Sequence, residues 1–330
     1  MKSKKAEFDL PFGVIFSIIA GAVIIFIAIF AAVSFANIGK HTQYSEAAQR
    51  ISSILDPVVN GIASGYSQRV DFKRDTRIYL TCNERTSLSS FGRQGISFAE
   101  ESGIVKKWQK PGAEIQRYNK YIFGENMSEG RTLYILSKPF YAGFSVDDIV
   151  LLGFEKYCFI AAPERIQEEL EVSFGNINFS SRIDLCPKNT KTVCFGSSFN
   201  GCNISVLGKC DNNYCEDDYS MGSVAKNGKT MYYFGNLIYA AIFSTPDIYE
   251  CNIRRLGFKT SQLAEVYSGK IEAVKIKDCN SLLDLPLGEI KTIIGGLNSS
   301  QKFIELYEKS KAMDEIACEE DCKIYYPEKC

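Results

Sequence analysis

The sequence predicts an α+β protein: one N-terminal transmembrane helix continuing into an amphipathic helix, followed by a disulfide-rich mixed ectodomain. Three observations carry that expectation. Residues 10–38 hold no charge, strand-like alternation gives way to helical spacing later in the chain, and eleven of the 12 cysteines lie at or beyond position 158. The chain has 330 residues, 45% hydrophobic and 23% charged, which suffices for a sizeable core and excludes the disordered and collagen-like classes. With 38 Lys plus Arg against 39 Asp plus Glu and no basic run, no nucleic-acid partner is expected.

Residues 1–9 read as a cytoplasmic tail and residues 10–38 as the membrane span. The span is 29 residues long, whereas a helix rising about 1.5 Å per residue needs roughly 20 apolar residues to cross the hydrocarbon core. Lys2, Lys4 and Lys5 precede it, and the positive-inside rule then sets the N-terminus in the cytoplasm, against the weaker pull of Lys40 and Arg50. A secretory signal peptide shares the Lys-rich start, and Ser34-Phe35-Ala36 has the small-x-small form of a cleavage site. Its apolar region, however, runs only about 7 to 15 residues. Lys5-Ala6-Glu7-Phe8-Asp9 resembles the site cut by archaeal prepilin peptidases, from which Pro11 departs. Gly13, Ser17 and Gly21 share one helix face, where a second helix can approach closely. Self-association is one reading; the simpler one is that small residues are common in such helices.

In residues 39–66, Tyr44, Ala48, Ile51, Leu55, Val58 and Ile62 recur at helical spacing, so a juxtamembrane amphipathic helix is expected, kinked or stopped near Pro57. From Val70 the pattern is that of strands, at residues 76–81, 121–123, 132–136, 149–152 and 157–160. Pro163 and the acids after it open a short helix ending near Leu170, followed by a strand near residues 172–179. Lys226-Asn227-Gly228-Lys229 reads as a tight hairpin, because Asn-Gly tolerates positive φ, with residues 231–234 as its return strand. Residues 237–243 are apolar enough for a buried helix or strand, and periodicity does not choose between them. Helices are expected at residues 260–277 and 300–317. The ectodomain divides into a first α+β subdomain, 67–176, and a cysteine-rich second subdomain, 177–330.

The cysteines are Cys82, Cys158, Cys186, Cys194, Cys202, Cys210, Cys215, Cys251, Cys279, Cys318, Cys322 and Cys330. Their even number, their density and the expected extracytoplasmic location all indicate disulfides. Structural zinc is disfavoured, since no Cys-x2-Cys pair exists and His41, the one His, lies beside the membrane. Cys186, Cys194, Cys202 and Cys210 recur every eight residues, a spacing that fits successive strand and turn units. Cys82 and Cys158 flank a long cysteine-free stretch and form the first expected pair.

Catalytic signatures are absent. A single juxtamembrane His leaves Ser-His-Asp and Cys-His chemistry without a base in the ectodomain. Residues 222–230 approach a phosphate-binding loop but place five residues between the glycines where four are needed. Residues 211–218 gather carboxylates, yet Cys215 and Glu216 break the calcium-loop pattern. Cys318 and Cys322 are one residue too far apart for a redox pair and read as structural. No cofactor or metal is expected. Asn126, Asn178, Asn203 and Asn298 each begin an Asn-x-Ser triplet.

Residues 12–22, Thr76-Arg77-Ile78-Tyr79, Phe91-Gly92-Arg93-Gln94-Gly95-Ile96-Ser97, Asn119-Lys120-Tyr121-Ile122-Phe123, Ser137-Lys138-Pro139-Phe140 and Tyr157-Cys158-Phe159 resemble a family of archaeal single-pass surface proteins. The resemblance implies a membrane-anchored surface protein and carries no catalytic residue across. The expected function is therefore non-enzymatic: a single-pass cell-membrane protein whose ectodomain serves adhesion, assembly or partner binding, with self-association included. Two alternatives stand beside it, a pilin-like filament subunit and an ectoenzyme using carboxylates or a bound metal.

Overall fold

The computed structural model describes residues 16–32, 67–84, 91–102, 107–171, 175–196, 201–211, 214–215, 218–275, 280–320 and 322–325, with backbone alone at 210, 211, 214 and 215. Helix α1 covers residues 16–32, the described part of the uncharged run. Its large side chains, among them Phe16, Ile24, Phe26 and Phe30, are more than half exposed. Among the described residues no helix is long and apolar enough to cross a membrane. The tail at 1–9, both ends of the 10–38 run and the helix expected at 39–66 lie outside the described residues.

The first sheet contains β1 (Ser67–Asn83), β2 (Arg93–Glu100), β3 (Ile115–Arg117), β4 (Tyr121–Phe123), β5 (Met127–Tyr141) and β6 (Ser145–Gly153). Its spatial order is β3-β2-β1-β5-β6-β4, antiparallel throughout except where β4 runs parallel to β6. Alternation is plain in β1, where Thr76, Ile78 and Leu80 are buried while Arg77 and Tyr79 are not. The central strands are apolar on both faces. Ile78, Leu80, Phe98, Ile122, Ile135 and Val150 cluster on one side, and Tyr121, Phe123, Leu136, Ile149 and Leu151 on the other. Two-sided burial is why residues 149–152 read as an unbroken apolar run.

The second sheet holds β7 (Tyr157–Ile160), β8 (Ile177–Ser180), β9 (Lys191–Phe195), β10 (Ile204–Leu207), β13 (Met221–Lys226) and β14 (Lys229–Phe234). Between β10 and β13 lies a two-stranded ribbon of β11 (Cys210–Asp211) and β12 (Tyr214–Cys215). The sheet order is β14-β13-β10-β9-β7-β8. From β8 to β10 the neighbours are parallel, and helix α2 (Glu164–Glu171) makes the crossover from β7 to β8. The β13–β14 hairpin turns at Asn227 and Gly228, with φ of 53° and 71°, as its sequence requires. By contrast, the segments on either side of residues 196–201 are parallel neighbours. Their short link is pinned by the Cys194–Cys202 bridge and by Asn203, whose Oδ1 accepts from Thr192 N and Oγ1 at 2.9 and 3.0 Å.

Five helices complete the domain: α3 (Leu237–Phe243), α4 (Pro246–Lys275), α5 (Asp284–Gly295), α6 (Ser300–Phe303) and α7 (Leu306–Glu319). Residues 237–243 are helical, and all seven side chains are buried. Ser244 ends α3 in an extended conformation, and Pro246 opens α4 at the position where a missing N–H costs nothing. Helix α4 starts well before the expected residue 260, and the helix expected at 300–317 is interrupted at residues 304–305. One hydrophobic cluster unites Phe123 and Leu151 of the first sheet, Phe159 and Tyr233 of the second, and Ile242, Leu256, Leu287, Phe303 and Met313 of the helices. Each such Phe or Leu contributes about 1.5–3 kcal/mol relative to exposure. The division expected at 176/177 falls inside the second sheet, between β7 and its neighbour β8.

The expected Cys82–Cys158 pair does not form. Cys82 ends β1 beside α4 and bonds Cys251, whereas Cys158 is fully buried in β7 and bonds Cys186, just after the turn that follows β8. Their Cα separations, 6.1 and 5.8 Å, suit a bridge, and Cys82 and Cys158 belong to different sheets.

Candidate functional site

The most concentrated polar constellation lies on the first half of α4, where Cys251, Asn252 and Arg255 sit within a single turn against the first sheet. Cys251 bonds Cys82. Asn252 Nδ2 donates to Ile122 O at 2.8 Å, and Gln94 of β2 pairs with the same residue, donating to Ile122 O and accepting from Ile122 N at 2.8 Å. Arg255 is 2% exposed, and its guanidinium donates to Phe91 O (2.9 Å), Tyr118 O (2.7 Å), Lys120 O (2.9 Å) and Asn252 Oδ1 (2.7 Å). Tyr121 lies under it, 5.1 Å to the ring centroid. Burial pushes the group down to about 10, which leaves it charged at neutral pH. Every acceptor here is an uncharged oxygen, so the cation anchors the chain around residues 91 and 118–120. A cavity of about 190 Å³ adjoins it, lined by Phe91, Arg254, Phe258 and Leu297.

A second constellation joins the two sheets. Lys226, at the end of β13, has a side chain 4% exposed and donates to Glu125 Oε1 (2.7 Å), Ile242 O (3.1 Å) and Ser244 O (2.9 Å). Glu125 also accepts from Lys191 at 2.9 Å, and Glu155 stands 3.9 Å from Lys191. Burial opposes the ionisation of Glu125, but Lys226 and Lys191 outweigh it and hold the carboxyl below its ordinary value. For Glu155 burial prevails and raises the pKa. Burial lowers the pKa of Lys226. A depressed lysine is a potential nucleophile. Here each of its three ammonium protons already has an acceptor, so the cluster functions as a two-cation, two-carboxylate tie.

Glu169 of α2 forms a smaller tie, accepting from Lys138 (3.0 Å), Tyr239 Oη (2.6 Å) and Arg165 (3.1 Å). Burial opposes its ionisation, yet the bonds from Tyr239 and Lys138 prevail and lower its pKa. Asp147 and Asp148 are neighbouring acids on β6, both raised chiefly by burial, with Lys259 3.8 Å from Asp147. Adjacent strand residues point to opposite faces, so the two carboxylates do not converge. Among the described residues no group of three or more His, Cys, Asp or Glu is placed to hold a metal ion.

A concavity of about 730 Å³ runs along α5, between Asp284, Leu285, Glu289 and Ile293 on one side and Glu305 and Lys309 on the other. Lys309 pairs with Glu289 at 2.6 Å, and Leu285 is 74% exposed. Three acids with one paired lysine give the groove an acidic rim over an apolar floor.

Of the residues singled out by sequence, Cys82 meets Cys251, Cys158 meets Cys186 and Cys194 meets Cys202. Cys318 and Cys322 are disulfide-bonded as well. Cys210 and Cys215 are cross-strand partners in the backbone register of the ribbon. Cys279, Cys330 and Gly13 lie outside the described residues, while Ser17 and Gly21 lie on α1. The near-miss phosphate loop is the β13–β14 hairpin, and Asp218 of the acidic stretch caps its own turn through Ser220 N at 2.9 Å. Nothing local in the sequence marks Arg255 or Lys226 as a buried cation: Lys226 looks like an ordinary hairpin residue, and Arg255 follows Arg254 in a helix. No protein-family model, curated protein or solved structure matches this chain.

Proposed function

We propose that this chain is a single-pass membrane protein, N-terminus in the cytoplasm, that presents its disulfide-bonded α+β domain outside the cell for adhesion, assembly or partner binding. The state of the cysteines carries the reading. All eight whose side chains are described, Cys82, Cys158, Cys186, Cys194, Cys202, Cys251, Cys318 and Cys322, are oxidised in the fold, and bridges of this density are characteristic of oxidising compartments, with disulfide-rich intracellular proteins of hyperthermophiles as the exception. Two further features support it. Helix α1 is uncharged and its large apolar side chains find no cover, as a lipid-facing helix requires; the reading extends that helix through the run 10–38. The buried cations Lys226 and Arg255 are bonded to internal acceptors, which favours a binding module over an enzyme.

The test uses intact cells. A membrane-impermeant lysine reagent is expected to modify exposed residues such as Lys229 before lysis, and non-reducing peptide mapping is expected to recover Cys82 joined to Cys251. Protection of those lysines until lysis, together with free thiols, overturns the proposal. Sequencing of the mature N-terminus separates a simple anchor, with its start intact, from a pilin-like subunit newly begun near Glu7.

A further inference from the structure

The four Asn-x-Ser triplets occupy four different environments. Asn126 accepts from Thr245 Oγ1, and its triplet serine, Ser128, is 4% exposed. Asn203 accepts twice from Thr192 to pin the β9–β10 link. Asn298 accepts from Ser299, and its triplet serine, Ser300, is 1% exposed with its hydroxyl held by Glu250 at 2.5 Å. Asn178 differs from all three. It is exposed on β8, the terminal strand of the second sheet, in extended backbone, with no hydrogen bond from its carboxamide to the described residues. Ser180, two residues on, is only partly covered; its hydroxyl donates to Arg182 O at 2.9 Å and accepts from Arg182 N at 3.2 Å in an exposed turn.

We propose that Asn178 is the N-glycosylated residue of this protein, a site resting on the extracytoplasmic placement proposed above. The transferring enzyme must surround the triplet and reach both the carboxamide and the hydroxyl; of the four triplets, Asn178 alone joins an exposed carboxamide with no hydrogen bond to the described residues to a serine that is not buried, whose hydroxyl needs release only from the exposed turn at Arg182. The donor is an oligosaccharide linked to a polyprenyl phosphate or pyrophosphate. Asn178 Nδ2 forms a bond to the anomeric carbon and releases one proton, while the anomeric C–O bond to phosphate breaks and the phosphate oxygen keeps the electron pair. Nothing is oxidised or reduced. The position also explains what the modification does: among the described residues β8 has one strand neighbour, β7. An open edge invites pairing with another chain, and a bulky hydrophilic group beside it blocks that approach.

Trypsin provides a clean test, because the peptide Ile166–Arg182 contains Asn178 and no cysteine. In protein purified from its native cells, the bare form of this peptide is expected at less than a tenth of the signal of an equimolar synthetic standard, with a sugar-bearing form in its place. Asn178→Gln is expected to abolish the gel-mobility shift given by glycosidase or chemical deglycosylation, and Asn203→Gln to leave it intact. Full recovery of the bare peptide from protein whose Cys82–Cys251 bridge is formed overturns the proposal and leaves the extracytoplasmic reading standing. Full recovery together with free cysteines overturns both. Sugar on Asn126, Asn203 or Asn298 with Asn178 bare also overturns it.

Discussion

Replacing Arg255 with Met removes the donors that satisfy Phe91 O, Tyr118 O and Lys120 O, each within 2.9 Å in the present fold. A buried acceptor stripped of its partner costs about 1–3 kcal/mol, so three carbonyls amount to about 3–9 kcal/mol. Removing a desolvated cation offsets part of this, and a net loss of roughly 3–6 kcal/mol is expected. That is a large share of the 5–15 kcal/mol or so by which a typical domain is stable. Arg255→Lys keeps the charge but loses the planar fork, and is expected to fall between Met and the parent. Urea unfolding of the purified full chain measures this directly, with Trp108 as the probe: it is the one Trp, and the Arg77 guanidinium lies 4.0 Å over its ring. A Met variant within about 1 kcal/mol of the parent, at unchanged slope, refutes the anchoring role.

The bridges rank by the loops they close. Sequence separations of 169, 28 and 8 residues correspond in the chain-entropy treatment to about 5, 3.6 and 2.6 kcal/mol. Paired Cys→Ser variants assayed by denaturant unfolding should therefore lose most at Cys82–Cys251 and least at Cys194–Cys202; the reverse order contradicts the entropic account. Stability also depends on pH through Glu125 and Glu169, whose folded pKa values lie below the ordinary 4.5. Their contribution is complete above about pH 4.5 and disappears as pH falls through the lower folded values. Glu155 acts in the opposite sense: its folded value is raised, so its contribution is present below its ordinary 4.5 and disappears as pH rises through the folded value. Thermal melting of Glu125→Gln against the parent should show a shallower acid-side decline, and identical pH profiles contradict the assignment.

The parts of this fold visible in the sequence are those dictated by neighbours close along the chain. The Asn227-Gly228 hairpin, strands β4 to β7 and the Pro163-led helix α2 follow from local period and turn chemistry. Strand β2 was not visible, because Arg93, Gln94 and Gly95 hide its pattern; Gln94 is buried by its pairing with Ile122, which lies well away along the chain. The start of α4 was hidden for a related reason. Ile248, Tyr249, Asn252, Ile253 and Arg255 are all buried, so the polar stripe of this half narrows to Asp247, Glu250 and Arg254, and the buried Asn252 and Arg255 blur its period. Connectivity of the cysteines depends on which sheet each one joins, a tertiary fact that spacing does not encode. The charged ties were equally hidden, since Lys226 finds Glu125 across 101 positions.

The Cys82–Cys251 bond also sets a timetable. Synthesis from the N-terminus makes the thiol of β1 long before its partner on α4, 169 positions later. At synthesis speeds of about 5–20 residues per second that wait is roughly 10–30 s. Cys158, Cys186, Cys194 and Cys202 all emerge during the interval, and the 28- and 8-residue loops can close at once. Their prompt closure withdraws four competing sulfurs before the long-range bond is made, so the local clasps act as guardians of the correct final one.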